Sequence, residues 1–109
     1  MAIPPRTALG PVPARDGELR SYRRGSDYVL VARVGGKLKA LDDVCNHAGC
    51  LLSGGHVAGN TVVCPCHEIA FDLDTGKNVT SPSLCGDQPA FEVTDEAGVA
   101  VLGEKKARR

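Results

Sequence analysis

The sequence predicts an all-β domain, and three observations carry that prediction. No window sustains a helical period. Short runs rich in Val, Leu and Thr alternate as half-buried strands do, and turn signals such as Gly35-Gly36, Thr75-Gly76 and Ala97-Gly98 follow them. No internal repeat is present, and 109 residues suffice for one core of independent stability.

Residues 1–16 hold four of the seven prolines (Pro4, Pro5, Pro11, Pro13) and no sustained period, so they read as an extended lead-in. The pattern changes near Leu19, and the folded domain is expected over 17–103. Tyr28 to Val34 reads as a strand, Gly35-Gly36 as a two-residue turn and Lys37 to Leu41 as the returning strand. Thr61 to Val63 and Ile69 to Leu73 read as two further strands, with a turn over Asp74, Thr75, Gly76 and Lys77. Phe91 to Val93, a turn over Asp95 to Gly98 and Val99 to Leu102 make a last hairpin before a basic tail at 104–109.

Thirteen basic and thirteen acidic residues cancel, so the charge points neither to nucleic acid nor to an anionic membrane surface; a protein surface is the expected partner. Tryptophan is absent and Phe and Tyr together number four, whereas Gly and Pro number twenty, so the core is small and gains from a staple. No run approaches the roughly 18 to 20 apolar residues of a membrane span. The start, Met1-Ala2-Ile3-Pro4-Pro5, lacks the charged and apolar regions of an export signal. Paired arginines occur only at Arg23-Arg24 and Arg108-Arg109. A cytoplasmic location is the expectation.

Five cysteines in such a chain argue first for metal or redox chemistry. Four fall in two clusters, Cys45 with Cys50 and Cys64 with Cys66, and each cluster also carries a histidine. Cys45-Asn46-His47 is followed, after sixteen residues, by Cys64-Pro65-Cys66-His67. Each loop thus offers a thiolate and an imidazole, the two donors that suit zinc or iron. Spacing alone permits a tetrahedral zinc site, but zinc loops commonly pair Cys with Cys and His with His. A centre with two distinct irons accounts for the mixed donors, since each loop can give sulfur to one iron and nitrogen to the other.

At these residues the chain resembles the Rieske iron-sulfur family, whose pattern is C-x-H, a gap of about fifteen to seventeen residues and C-x-x-H. The likeness runs from about Leu19 to Leu102. It includes Gly54-Gly55, Phe71-Asp72-Leu73, Thr75-Gly76 and the stretch around Pro82. It implies a domain of three stacked antiparallel sheets with the cluster-binding loops at one tip. One 2Fe-2S cluster would be held there, Cys45 and Cys64 on one iron and His47 and His67 on the other. Exchanging two thiolates for neutral imidazoles removes negative charge and raises the potential into roughly −150 to +300 mV.

The resemblance also implies a bond between Cys50 and Cys66, which stand where Rieske proteins of cytochrome complexes place a disulfide between the two loops, whereas many small Rieske ferredoxins lack the pair; the alternative is two buried thiols. Burial would preserve such a bond in a reducing cytosol. High-potential members carry a serine two places and a tyrosine four places after the second ligand histidine. Here Ile69 and Phe71 stand there and donate nothing, which implies a lower potential.

Beside these stand plainer readings. His56 is expected as an exposed turn residue and Cys85 as a small buried side chain. Gly49, Gly54, Gly55 and Gly86 are expected to serve backbone conformation or close approach. Asp42, Asp43, Glu68, Asp72 and Asp74 read as mostly solvated carboxylates, some of them able to steer a basic partner. The resemblance implies an electron carrier without catalysis of its own, passing single electrons from a reductase to an oxygenase or similar enzyme. The alternatives are a dedicated subunit of a nitrite reductase or respiratory-type complex, and a zinc-stabilised interaction module.

Overall fold

The structure, a computed structural model, describes residues 4, 6–45, 50–66, 68–80 and 86–106. Nine strands are present among them: β1 (Thr7–Pro11), β2 (Leu19–Arg24), β3 (Asp27–Val34), β4 (Lys37–Asp42), β5 (His56–Ala58), β6 (Thr61–Val63), β7 (Ala70–Asp72), β8 (Ala90–Glu96) and β9 (Val99–Lys105). A single 3-10 turn, Leu52–Gly54, is the only helical element of the described residues. No helix there is long and apolar enough to cross a membrane.

The hairpins fall where alternation and turn residues put them. β3 and β4 pair from Val34↔Lys37 outwards, with Gly35 and Gly36 at φ 59° and 79° in the turn, a conformation that costs glycine least. β8 and β9 pair from Glu96↔Val99, so the last hairpin turns over two residues, Ala97 and Gly98, and not over the four expected.

Two antiparallel sheets result: a six-stranded sheet in the order β1-β9-β8-β4-β3-β2 and a three-stranded sheet in the order β5-β6-β7. The larger one curls until its edges meet. Arg24 on β2 donates to the carbonyl of Ala8 at 2.8 Å and also to that of Leu9, and the Tyr22 hydroxyl donates to the carbonyl of Pro11. The expectation of three stacked sheets is therefore corrected among the described residues. Pairing of Ala40 with Phe91 and Leu41 with Ala90 joins what would be two layers into one continuous sheet.

Period two along β3 and β4 sorts their side chains between two cores. Val29, Val31 and Ala40 face the inside of the curled sheet with Leu9, Tyr22, Phe91, Ala100 and Leu102. Leu30, Ala32 and Leu41 face outward onto the small sheet and its loops, meeting Leu52, Val62, Ile69, Phe71 and Leu73. Burial on both faces explains why β3 reads as an almost unbroken apolar run.

Three further differences have physical reasons. The lead-in expected over 1–16 contains β1, which pairs with β9 from Pro11↔Val99 to Thr7↔Leu102; its register slips between Ala8 and Gly10, and this irregularity hides any alternation. β2 carries Arg20, Arg23 and Arg24 on both of its faces, with Tyr22 its only buried side chain, so it shows no apolar alternation. The 104–109 tail begins inside β9, which runs to Lys105. Two ties fix the small sheet to the large one: the Lys39 ammonium pairs with Asp74, which also accepts from Asn60 at 2.9 Å, and Lys106 donates to the Asp74 carbonyl at 3.0 Å.

Candidate metal centre

Each candidate thiol opens a loop closed in the same way. The Cys45 N–H donates to the carbonyl of Cys50 at 2.7 Å, and the Cys64 N–H donates to that of Ile69 at 2.8 Å, five residues on in both cases. The first loop follows β4, and its two flanks are joined by a Val44↔Leu51 bridge just before the 3-10 turn. The second joins β6 to β7 and is tightened by a 2.9 Å bond from the Glu68 N–H to the Cys64 carbonyl, with Glu68 at φ 56°.

Cys45 and Cys64 are buried, at 1% and 0% exposure, and share one apolar cluster with Leu52, Ile69 and Phe71. Cys50 and Cys66 stand at disulfide distance, Cα to Cα 6.5 Å, and link the two loops. Cys66 is exposed and Cys50 half-buried. The link is thus not shielded by burial, contrary to the condition set for it in a reducing cytosol. Cys45 and Cys64 remain outside the disulfide.

That arrangement fits an iron-sulfur cluster. Iron needs thiolates that are not tied up in a disulfide and are screened from solvent oxidants, on loops held at fixed spacing. The candidate imidazoles His47 and His67 lie outside the described residues, as do Gly49, Pro82 and Cys85. Among the described residues alone, no three His, Cys, Asp or Glu side chains gather as a metal site.

Ile69 and Phe71 are buried apolar neighbours of Cys64 in the same cluster. Neither carries a donor, so no side-chain hydroxyl stands at either position to stabilise added negative charge. His56 is exposed as expected but belongs to β5 and not to a turn. Gly55 earns its place through close approach, since a Cβ there would collide with the Val63 carbonyl. A Cβ on Gly54 would make ordinary contact with Pro65 and one on Gly86 would meet open space, so steric approach does not require glycine there.

The carboxylates divide. Glu68 is exposed as expected. Asp72 accepts from the Asp74 and Thr75 N–H groups at 2.8 and 3.0 Å and shapes the turn after β7. Hydrogen bonding from Lys39 holds the Asp74 carboxyl below the usual carboxylate range, whereas burial pushes Asp42 above it. Asp43 corrects the expectation of solvation outright: it is fully buried and accepts from Ser21 Oγ at 2.6 Å, Ser53 N at 2.7 Å and Ser53 Oγ at 2.7 Å.

Sequence reasoning also missed Gln88, fully buried, whose amide donates to the carbonyls of Asp42 and Val44 at 2.8 and 2.9 Å. No motif announces it, because its partners lie more than forty residues away. Val44 and Leu51, each 37% exposed, form an apolar pair at the foot of the first loop.

Comparison with known proteins agrees with this geometry. The model of the Rieske [2Fe-2S] domain matches residues 10–92. Ferredoxin CarAc of Metapseudomonas resinovorans is 38% identical over 92 residues, covering 83% of this chain and 85% of that protein. The cytochrome b6-f complex iron-sulfur subunit of Chlorobaculum thiosulfatiphilum is 37% identical over 67 residues, 62% of this chain but 36% of that protein. Among solved structures, a chain from the complex of reduced oxygenase and oxidized ferredoxin in carbazole 1,9a-dioxygenase superposes with a TM-score of 0.81 at 33% identity, covering 94% of this chain and 96% of that one. With a family match over most of its length and a curly β-sheet presenting two cysteine loops, the chain belongs to the Rieske [2Fe-2S] domain family and has one Rieske-type two-iron, two-sulfur cluster as its cofactor.

Proposed function

We propose that this chain is a soluble, cytoplasmic Rieske ferredoxin that carries single electrons from a reductase to an oxygenase or similar redox enzyme. The observation that carries the reading is the pair of buried thiols, Cys45 and Cys64, on two loops closed alike and linked through Cys50 and Cys66. Cys45 and Cys64 would hold one iron, and His47 and His67 the other. When bound, the cluster supplies a site that takes up and releases one electron.

The residues of the chain do the rest. Leu52, Ile69 and Phe71 exclude water from the thiol side. The exposed apolar pair Val44 and Leu51 at the foot of the first loop offers a protein partner a surface to cover. Similarity to ferredoxin CarAc and to a chain of an oxygenase and ferredoxin complex supports an oxygenase as the acceptor.

A second reading, a dedicated subunit of a larger oxidoreductase, draws on the likeness to the cytochrome b6-f subunit and on the Cys50 and Cys66 pair. One experiment tests the first and separates the two. The purified chain should contain two irons and two sulfides, run as a free species on gel filtration, and mediate electron flow from a flavin-dependent reductase to a Rieske oxygenase. Zinc in place of iron would overturn both readings, and exclusive recovery in a large complex would favour the second.

A further inference from the structure

Asp43 is a buried carboxylate for which the cluster reading has no use. It sits two residues before Cys45, at the base of a short ladder: the Leu52 N–H donates to the Asp43 carbonyl at 2.7 Å, Val44 bridges to Leu51, and the Cys45 N–H closes on Cys50 at 2.7 Å. Whatever fixes Asp43 therefore fixes the entry of the first loop. Its side chain is held from two separate elements. Ser21 on β2 donates to Oδ2 at 2.6 Å, and Ser53 in the 3-10 turn donates its N–H to Oδ1 and its hydroxyl to Oδ2, both at 2.7 Å. The adjoining backbone is gripped from another side by Gln88, whose amide bridges the carbonyls of residues 42 and 44 at 2.8 and 2.9 Å.

A neutral side chain could make most of these bonds without the cost of desolvating a charge. Among the described residues no Lys or Arg forms an ion pair with Asp43. Its negative charge is thus left to act on its surroundings at low dielectric, where Coulomb interactions reach further than in water. The nearest electron-accepting centre would be the cluster on Cys45.

We propose that Asp43, gripped by Ser21 and Ser53, is a positioning residue for the loop that presents Cys45, and that its buried negative charge holds down the reduction potential of the cluster. This rests on Cys45 being a ligand. Adding an electron near a fixed negative charge is disfavoured, and the same carboxylate keeps the loop in the geometry that retains iron.

Three substitutions in the full holoprotein test both parts. Asp43→Asn keeps shape: its oxygen can accept from the Ser53 N–H and its amide can donate to the two serine hydroxyls. Iron and sulfide content should equal those of the wild type, while the potential measured by redox titration shifts upward, which a purely structural role would not produce. Asp43→Leu removes the grip, and iron should pass to a chelator roughly tenfold faster or more. Should that variant fail to fold, Ser21→Ala, at an exposed position on β2, removes one donor and should still speed iron loss. An unchanged or lowered potential in Asp43→Asn overturns the electrostatic part, and wild-type iron retention in Asp43→Leu or Ser21→Ala overturns the positioning part. Failure of the underlying reading has a different signature: Cys45→Ser would keep a wild-type cluster.

Discussion

The first and second cluster loops are closed by the same bond, from a cysteine N–H to a carbonyl five residues later, yet they are held by different means. The first hangs from polar side chains: Asp43 with Ser21 and Ser53 on one flank and Gln88 on another, all converging on residues 42–44. The second is held by strand register and close contact. β6 and β7 pair directly from Val63↔Ala70, Ile69 and Phe71 fill the space beneath, and Gly55 lets β5 come up against the Val63 carbonyl. A polar anchor fixes a loop at points and places a buried charge next to it, whereas a packed apolar turn fixes it over an area and puts no buried charge beneath it. One fold thus presents two similar thiols from two electrostatically different supports.

The largest expected effect breaks the symmetry at its root. Cys64→Ala should abolish the cluster, read as loss of iron, sulfide and visible absorption; wild-type iron content would show that Cys64 does not ligate. Next comes the link between the loops. Replacing Cys50 and Cys66 together by Ser frees a sixteen-residue separation, and urea unfolding should show a loss of about 3 kcal/mol. A midpoint equal to that of the wild type would mean that the anchors hold each loop unaided.

A smaller effect probes the support of the second loop alone. Gly55→Ala forces a methyl group against the Val63 carbonyl and should cost about 1–3 kcal/mol. Gly54→Ala beside it, where a Cβ meets only the Pro65 ring at 3.5 Å, should change stability by less than about 0.5 kcal/mol. Equal costs at the two positions would remove close approach as the explanation.

The smallest effect concerns the tie between sheets. Hydrogen bonding from Lys39 lowers the Asp74 carboxyl in the folded chain, so its contribution is present above the unfolded carboxylate value, near about pH 4, and is lost as pH falls through the lower folded value. Asp74 is 46% exposed, and solvent screening keeps the contribution under about 1 kcal/mol. Denaturation of Asp74→Asn should therefore trail the wild type slightly at neutral pH and converge with it in acid. A gap that widens on acidification would reverse the assigned sign.

Legibility followed the same division between the loops. Alternation and turn glycines disclosed β3, β4, β6, β7 and the last hairpin, because local sequence dictates pleat and turn. The slipped register of β1 and the surface arginines of β2 left no such trace. In the site, the two thiols of the Cys-x-His and Cys-x-x-His pattern appear as buried side chains on matching loops. Asp43 read as solvated because nothing local distinguishes a buried aspartate from an exposed one. Its partners Ser21 and Ser53 lie twenty-two and ten residues away, and only the tertiary fold brings them together.

The central claim is that sulfur ligands serve one iron and imidazole nitrogens the other. Pulsed electron paramagnetic resonance on the dithionite-reduced protein, grown with 15N-histidine, tests it most directly. Couplings from two distinct histidine nitrogens are the predicted result. A reduced cluster with no histidine coupling would contradict the assignment of His47 and His67.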